Sequence, residues 1–362
     1  MISPFPYDKI SESSFFFGRE KETKELEKVV KYSNNLLIHS KRRMGKSSLI
    51  NNFFKLHNKE YLCIYVDIFD ITSKEDFAYS LLKALSNAQT TDLKSAIKTL
   101  TSLFKRVRVE PSIDPNSLEY SIKPIIATLS FEQMMDDFFN SLDELSKTKQ
   151  IVLAIDEFQQ IAEITDIKLD AYLRQYIQNR TNTSYIFLGS KRHLLTSLFE
   201  YKAPLYELAN HFELQPLECD DIYNYSKQYI DIEKENIEYI YEISNGETKL
   251  IQNILHLLYI YKIEGISKEI IDNIVKEIIN SKDASFKLIY DTLNNNQKIA
   301  LKVVVKYKKG FFSEEILSSY NIKKQTLQSA VNTLFKKEII DKGGDRYFIP
   351  DRTLELWVEK IF

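Results

Sequence analysis

Short apolar runs alternate with amphipathic stretches over the first part of the chain. Four runs end in polar residues and are long enough to be strands that are covered on both faces: 36–40, 61–67, 150–156 and 184–190. Between them, apolar residues recur every three or four positions, which predicts helices. A shorter run at 211–214 predicts a last strand. Strands that alternate with helices in this way predict a parallel α/β sheet with right-handed crossovers.

The pattern changes after the last of these strands. Residues 219–283 show helical spacing alone, with a break at 244–246, which predicts an all-α segment. From residue 284 onward, three helices are followed by a hairpin turn at 341–345. Three helices and a β-hairpin within one small domain are the winged-helix arrangement. We therefore predict a winged-helix domain at 284–362.

The α/β part, residues 1–218, contains one stretch without clear periodicity. Residues 89–130 include a basic cluster at 105–108 and three prolines. We predict that this stretch is an irregular insertion, formed as a hairpin. No role follows from its composition.

One loop between a strand and a helix has the pattern of a phosphate-binding loop. The run 36–40 stops at a polar loop, and Gly45-Lys46-Ser47 then begins a helix with an apolar face. The unpaired N–H groups of the first helical turn and the positive end of the helix dipole form an anion site. We expect Lys46 to reach the β- and γ-phosphates of a nucleotide, and the Ser47 hydroxyl to ligate Mg²⁺. Ser40 stands where the first glycine of the usual pattern would be.

Two adjacent carboxylates, Asp156 and Glu157, end the strand at 150–156. Ligands of parallel sheets bind beyond the carboxyl ends of the strands, so these acids are expected near the phosphate-binding loop. Asp156 is expected in the Mg²⁺ shell, and Glu157 is expected to orient and deprotonate water. The alternative is a pair of solvated acids that merely end a strand. Ser190, at the end of the next strand, is either a hydrogen-bond donor to the γ-phosphate or the attacking water, or a helix N-cap.

Four motifs occur together in the order of a known family. They are Phe17-Gly18-Arg19-Glu20, Arg42-Arg43-Met44-Gly45-Lys46-Ser47-Ser48-Leu49, Ile155-Asp156-Glu157-Phe158-Gln159 and Leu188-Gly189-Ser190-Lys191-Arg192-His193. The chain thereby resembles the prokaryotic "archaeal ATPase" family of P-loop proteins, which is related to the STAND NTPases and the AAA+ origin-recognition initiators. The resemblance implies ATP binding and hydrolysis. The fold class it implies is α/β, a P-loop parallel-sheet ATPase domain followed by an all-α lid and a winged-helix domain.

The resemblance also implies a set of residues around the nucleotide. Phe17, Gly18 and Arg19 are expected near the adenine. Lys249 stands three residues after Gly246, at the place of a sensor arginine in related initiators. The loop residues expected to contact the nucleotide are Ser40, Lys41, Arg42, Arg43, Met44, Gly45, Lys46, Ser47 and Ser48. The alternative for the side chains of Arg42 and Arg43 is that they point outward, toward an acidic partner surface or another domain.

Charge distinguishes the C-terminal part from the rest of the chain. The whole chain has a net charge of −2, whereas Lys and Arg exceed Asp and Glu by five within residues 284–362. Lysine and glutamine on a helix that enters a groove suit phosphate and base-edge contacts, so DNA is one candidate partner. The candidate contact residues are Lys323, Lys324, Gln325, Gln328, Lys342 and Arg346. The alternative is a winged helix that binds a protein partner or a second copy of this chain.

The remaining features bear on location and on the choice between functions. Both cysteines lie in apolar runs, and no run is long enough to span a bilayer, so we predict a cytoplasmic protein without a membrane partner. Three functions stay open. The first is a switch that binds and hydrolyses ATP with Mg²⁺ and thereby repositions its winged helix. The second is a DNA-binding regulator in which nucleotide is structural, and the third is an oligomerising signalling scaffold.

Overall fold

The computed structural model describes residues 3–9, 13–88, 108–113, 120–125, 129–190 and 192–361. The chain forms two compact units. Residues 12–41 and 45–215 form one, which we call the sheet unit. Residues 1–11, 42–44 and 216–362 form the other, which we call the helical unit.

The sheet unit is built on parallel strands. Its strands in chain order are β1 (Leu36–His39), β2 (Leu62–Asp67), β3 (Arg108–Ile113), β4 (Tyr120–Ile125), β5 (Ile151–Asp156), β6 (Thr183–Gly189) and β7 (Asn210–Glu213). Five of them form one sheet in the order β2-β5-β6-β1-β7, and every pair in it is parallel. The predicted parallel sheet is confirmed. β3 and β4 pair antiparallel, which confirms the predicted hairpin, while the rest of the insertion lies outside the described residues.

Helices cover both faces of this sheet. They are α1 (Glu20–Lys31), α2 (Lys46–His57), α3 (Lys74–Ala88), α4 (Phe131–Ser146), α5 (Leu169–Ile177) and α6 (Arg192–Phe199), with 3-10 turns at Ser13–Phe15 and Phe158–Glu163. Every residue of β5 and β6 is buried. Leu153 of β5 belongs to one hydrophobic cluster, and its neighbours Val152 and Ala154 belong to another. Successive side chains of a strand face opposite sides, so a strand between two cores needs the uninterrupted apolar run seen in the sequence.

The register of the sheet brings the ends of three strands together. His39 of β1 lies opposite Gly189 of β6, and Ile155 of β5 lies opposite Phe187 of β6. The segments that follow β1, β5 and β6 therefore begin at the same edge of the sheet. These segments contain the loop before α2, the pair Asp156-Glu157 and Ser190.

The helical unit contains the remaining elements. They are α7 (Cys219–Ser226), α8 (Lys234–Ser244), α9 (Thr248–Ile260), α10 (Lys268–Ser281), α11 (Asp283–Asp291), α12 (Asn295–Tyr307), α13 (Glu314–Ser319), α14 (Lys324–Lys336), β8 (Asp341–Gly343), β9 (Arg346–Phe348) and α15 (Arg352–Ile361). β8 and β9 form the antiparallel hairpin of the winged helix, as predicted. Trp357 is buried in this domain, and its Nε1 donates to Asp283 Oδ1 at 2.8 Å. Within the described ranges, no helix is long and apolar enough to cross a membrane.

The break between α8 and α9 depends on a glycine. Asn245 and Gly246 both have positive φ, at 52° and 71°. A Cβ at Gly246 would lie 2.9 Å from the Pro216 ring. Glycine at this position therefore satisfies both the left-handed backbone and the close approach of Pro216.

Candidate functional site

The loop between β1 and α2 encloses the ammonium group of Lys46. Gly45, with φ of 90°, begins α2 in a left-handed conformation that glycine adopts at low cost. Lys46 is 6% exposed, and its Nζ donates to Ser40 Oγ at 3.1 Å and to the Lys41 carbonyl at 3.3 Å. Serine in place of the usual glycine thus supplies a hydrogen-bond acceptor for a buried charge, which needs such partners.

The carboxylate of Asp156 accepts hydrogen bonds from one residue of α2 and one residue of the neighbouring strand β2. Its Oδ2 accepts from Ser47 Oγ at 2.6 Å and from the Tyr65 hydroxyl at 2.5 Å. Asp156 itself is 4% exposed. Burial, and then the negative charge of Asp156, raise the pKa of Tyr65, which therefore remains a neutral donor at physiological pH. Burial also raises the pKa of Asp67, the next acid on the same strand as Tyr65.

Glu157 and Ser190 meet beside this group. Glu157 has φ of 54° and ψ of 37°, and its N–H donates to Asp156 Oδ1 at 2.8 Å. A non-glycine residue in the left-handed region is costly, and such strain is concentrated at functional sites. Glu157 Oε2 accepts from Ser190 Oγ at 3.4 Å and from Gln159 Nε2. The sequence-predicted residues Lys46, Ser47, Asp156, Glu157 and Ser190 all belong to the sheet unit.

The side chains of this site suit the binding of Mg²⁺ and phosphate. Hydroxyl and carboxylate oxygens, here from Ser47 and Asp156, are the ligands that Mg²⁺ prefers, and it takes few of them from the protein when phosphates supply the rest. Among the described residues, no group of three or more His, Cys, Asp or Glu side chains could hold a metal ion without such help. Lys46 and the N-terminus of α2 present positive charge for the phosphates.

The side chains of Arg42 and Arg43 pair with acids. Both residues belong to the helical unit, and Arg42 Nη2 lies 2.6 Å from Glu338 Oε2. Arg43 Nη1 pairs with Asp351 and lies 3.7 Å from Glu247 Oε1. Both arginines therefore pair with acids of their own unit, and their alternative orientation toward an acidic partner surface or another domain stays a prediction. Their contact with nucleotide stays a prediction.

Burial and the charge of Arg43 have opposite effects on the pKa values of Glu247 and Asp351. Burial raises the pKa of Glu247, and the charge of Arg43 opposes it in part. At Asp351 burial also raises the pKa, but hydrogen bonds and charge from Arg43, with help from Thr353 and Lys282, outweigh burial and hold that pKa below its usual value. Burial lowers the pKa of Lys282.

The start of α9 binds the backbone of the same loop segment. The Lys249 N–H donates to the Arg43 carbonyl at 3.2 Å, and Thr248 Oγ1 donates to the Met44 carbonyl at 3.5 Å. Met44 is buried, at 3% exposed. The predicted role of Lys249 as a nucleotide contact stays a prediction, as does that of Ser48.

The predicted adenine contacts lie in the sheet unit. Gly18 has φ of 67°, and Phe17 beside it is half-buried. Arg19 is 4% exposed and donates to Glu22 Oε1 at 2.6 Å and to the Gln215 carbonyl at 2.8 Å. Arg19 therefore has partners within its own unit, and its position near adenine stays a prediction.

The candidate DNA contacts are all exposed. They lie at the start of α14 and in the β8–β9 hairpin, and they are Lys323, Lys324, Gln325, Gln328, Lys342 and Arg346. The opposite face of α14 is buried through Leu327, Ala330, Val331 and Leu334. Lys191, within the fourth motif, lies outside the described residues.

Sequence reasoning missed two residues that contact the side chains of predicted site residues. Tyr65 holds Asp156, and Asp351 holds Arg43. For Tyr65, the usable signal is a tyrosine two positions before the end of a parallel strand. Asp351 follows the hairpin in an ordinary polar turn, and no local pattern marks it.

Two family models match the chain. Residues 16–254 match the family described as an ATPase domain predominantly from Archaea. Residues 284–360 match the family described as a "probable winged helix domain". The first range contains Lys46, Ser47, Asp156, Glu157 and Ser190, and the second contains all six candidate DNA contacts.

Individual proteins are also similar. The ATP-binding protein MJ1659 of Methanocaldococcus jannaschii is 26% identical over 193 residues, which are 51% of this chain and 52% of that protein, so the match spans about half of its length. The Walker-type ATPase PABY2304 of Pyrococcus abyssi has a TM-score of 0.67 at 19% identity, over 99% of this chain and 100% of that one. The ORC2 protein of Aeropyrum pernix, in ADPNP-ADP complexes, has a TM-score of 0.58 at 13% identity, over 99% and 96%. At these identities the two structures show a shared fold.

Proposed function

Because the chain belongs to the family of ATPase domains predominantly from Archaea, we propose that it binds ATP with Mg²⁺ at the loop before α2 and hydrolyses it to ADP and phosphate. One observation carries the proposal, the 2.6 Å hydrogen bond between Ser47 of the loop and Asp156 of β5. It joins the two motifs that such a site requires, although each arises in a different part of the sequence.

Each residue has a task that its surroundings support. Lys46 and the N-terminus of α2 balance the charge of the phosphates, while Ser47 and Asp156 supply oxygen ligands for the metal. Mg²⁺, when bound, would neutralise charge on the β- and γ-phosphates. Glu157 accepts a proton from water as the water oxygen attacks the γ-phosphorus, and the bond from that phosphorus to the bridging oxygen breaks. Ser190 orients the Glu157 carboxylate or the water.

We propose further that nucleotide state acts on the winged helix through Arg42–Met44. These loop residues belong to the helical unit, where Arg43 pairs with Asp351, directly before α15. The chain continues from Met44 into Gly45 and Lys46, which handle the phosphates in this proposal. A change of loop conformation on binding nucleotide would therefore alter the partners of Arg43.

Two substitutions test hydrolysis. Glu157→Gln should retain ATP binding and lower phosphate release roughly 10²- to 10⁴-fold, the usual contribution of a general base. Lys46→Ala should lose binding. Matched controls are Glu163→Gln, exposed on the 3-10 turn after Glu157, and Lys55→Ala, exposed on α2. Unchanged phosphate release in both test variants would exclude this site as the source of activity.

DNA is the second candidate, as a partner of the winged helix. The exposed polar residues of α14 and of the β8–β9 hairpin favour it, because they include lysines and an arginine with no core role. The excess of five positive charges within residues 284–362 adds a general attraction to phosphates. In this reading, nucleotide state regulates DNA binding.

A further inference from the structure

The side chain of Gln159 lies against the carboxylate of Glu157. Gln159 is completely buried in the 3-10 turn Phe158–Glu163, and its Nε2 donates to Glu157 Oε2. The turn is firmly packed, because Phe158 beside it is also completely buried and contacts the rings of Phe187 and Phe199. Gln159 is therefore a fixed donor that faces a more exposed acid.

A glycine makes room for this glutamine. A Cβ at Gly189, the last residue of β6, would lie 2.2 Å from Gln159 Oε1 and 2.7 Å from Leu195 Cδ1. Real Cβ atoms do not approach other atoms so closely, since van der Waals contact begins well above 3 Å. The glycine before Ser190 is thus explained by the space that Gln159 and Leu195 occupy, with Gln159 making the closer approach.

A purely structural role accounts poorly for glutamine at this place. Within the described part of the chain, Gln159 Oε1 is buried without a hydrogen-bond partner. A buried acceptor without a partner is destabilising, whereas leucine or methionine of similar volume would avoid that cost. What glutamine supplies is the amide donor toward Glu157.

Glu157 needs such a donor. Its side chain has three rotatable bonds, and its other hydrogen bond, from Ser190 Oγ, is long at 3.4 Å. A general base must be aimed at the proton that it removes, and a misplacement of about 1 Å can reduce turnover 10²-fold.

We propose that Gln159 is a positioning residue that aims the Glu157 carboxylate, and that Gly189 is required because it accommodates Gln159. The inference rests on the proposed hydrolysis and extends it by two residues. Gln159 does not contact the reacting atoms. It acts through Glu157.

The first test is Gln159→Leu, which keeps the volume and removes the donor. The kcat for ATP should fall roughly 10- to 100-fold, while KM and nucleotide affinity stay unchanged. The thermal midpoint should stay the same or rise, because the unpaired acceptor is removed. In the Glu157→Gln background, Gln159→Leu should cause no further loss. A matched control is Gln160→Leu, the neighbouring residue, whose Nε2 donates to the Phe69 carbonyl and not to Glu157.

The second test is Gly189→Ala, with and without Gln159→Ala. In the unmodified protein the added methyl group displaces Gln159, so kcat should fall about as far as in Gln159→Leu. Once Gln159 is alanine, the clash with the amide is gone, and only the end of the flexible Leu195 side chain, 2.7 Å away, has to move. Gly189→Ala should then cost little further turnover. Additive losses in this cycle would overturn the explanation of Gly189.

The outcomes separate the two proposals. If Glu157→Gln abolishes turnover but Gln159→Leu retains full kcat, the positioning role is wrong and hydrolysis stands. A change in KM as large as the change in kcat would indicate general distortion and would also overturn the positioning role. If Glu157→Gln itself retains full turnover, the proposed hydrolysis mechanism fails, and the role of Gln159 fails with it.

Discussion

Tyr65 and Asp156, on neighbouring strands of the sheet, share a hydrogen bond of 2.5 Å from the phenol to Oδ2. The same oxygen accepts from Ser47 Oγ at 2.6 Å. A carboxylate oxygen with two hydroxyl donors is held in one direction by the protein itself. Outer partners of this kind orient metal ligands and tune their affinity.

Tyr65→Phe should weaken the apparent affinity for Mg²⁺ in turnover without unfolding the protein. The ring is retained, and Asp156 loses one of its two hydroxyl donors. By analogy with other outer partners of metal ligands, we expect the Mg²⁺ concentration for half-maximal phosphate release to rise about 10-fold. Tyr61→Phe, at the tyrosine directly before β2, is the control. An identical Mg²⁺ titration in Tyr65→Phe and the unmodified protein would contradict the orienting role.

Ser47→Ala should impair the metal site more severely than Tyr65→Phe. It removes a proposed ligand of Mg²⁺, whereas Tyr65 acts through Asp156. We expect nucleotide affinity to become almost independent of Mg²⁺ in calorimetric titrations, and phosphate release to be lost. Ser47→Thr retains the hydroxyl and should restore most of both. Equal behaviour of the alanine and threonine variants would argue against Ser47 as a ligand.

Asp351→Asn should weaken the link between nucleotide and winged helix. Asp351 Oδ1 also accepts from the N–H groups of Thr353 and Leu354 at the start of α15, and asparagine can keep that cap. The substitution therefore removes chiefly the charge that pairs with Arg43. We expect the effect of ATP on hydrogen exchange in α15 to shrink.

The control for this variant is Asp345→Asn. Asp345 lies in the hairpin and pairs with Lys309 at 3.6 Å, so the same charge is removed from the same domain without affecting Arg43. An ATP-dependent difference in exchange that is the same in Asp351→Asn as in the unmodified protein would show that the ion pair does not carry the signal.

The same ion pair should make stability depend on acidity. The folded-state pKa of Asp351 is lowered from its ordinary value of 3.8: burial raises it, but the hydrogen bond and charge of Arg43 and the charge of Lys282 outweigh that effect. The pair then contributes its full stability above pH 3.8 and loses it as pH falls through the lowered value. The pKa of Glu247 is raised from 4.5, so its contribution to stability has the opposite pH dependence. That contribution is present at low pH and is lost as pH rises through the raised pKa of Glu247.

Denaturant unfolding from neutral pH to about pH 3 measures this dependence. The free energy of unfolding of Asp351→Asn should lie below that of the unmodified protein at neutral pH, and the two should converge on acidification. Glu247→Gln should lose less stability at neutral pH than Asp351→Asn. A gap between Asp351→Asn and the unmodified protein that widens on acidification would have the wrong sign.

Lys323→Glu with Lys324→Glu should weaken binding to duplex DNA. If both lysines contact phosphates, the slope of log affinity against log salt should become shallower by about 2. Lys262→Glu with Lys276→Glu, at exposed sites around α9 and α10, removes the same charge elsewhere. Equal loss in both double variants would mean that net charge, not the face of α14, attracts the DNA.

The sheet and the central site could be predicted because their signals are local. Leu153 and its neighbours form an apolar run because β5 lies between two cores, and such a run is visible without coordinates. Parallel strands end at one edge, so Asp156 could be placed near the loop whatever its rotamer.

The partners of these residues could not be predicted. Glu247 and Asp351 are ordinary acids in the sequence, and their pairing with Arg43 depends on burial created by distant segments. Gly189 was equally ambiguous. A glycine at a strand end usually indicates a turn, and only the distance to Gln159 reveals a steric requirement.

Arg42–Met44 fold with the helical unit, although the sequence on both sides of them folds with the sheet unit. A fragment that ends at residue 283 would lack Glu338 and Asp351, so Arg42 would lose its pairing with Glu338 and Arg43 would keep only the more distant Glu247. Nucleotide affinities measured on such a fragment would describe a different loop. Removal of the winged-helix domain would therefore also change the charge balance of the loop before α2.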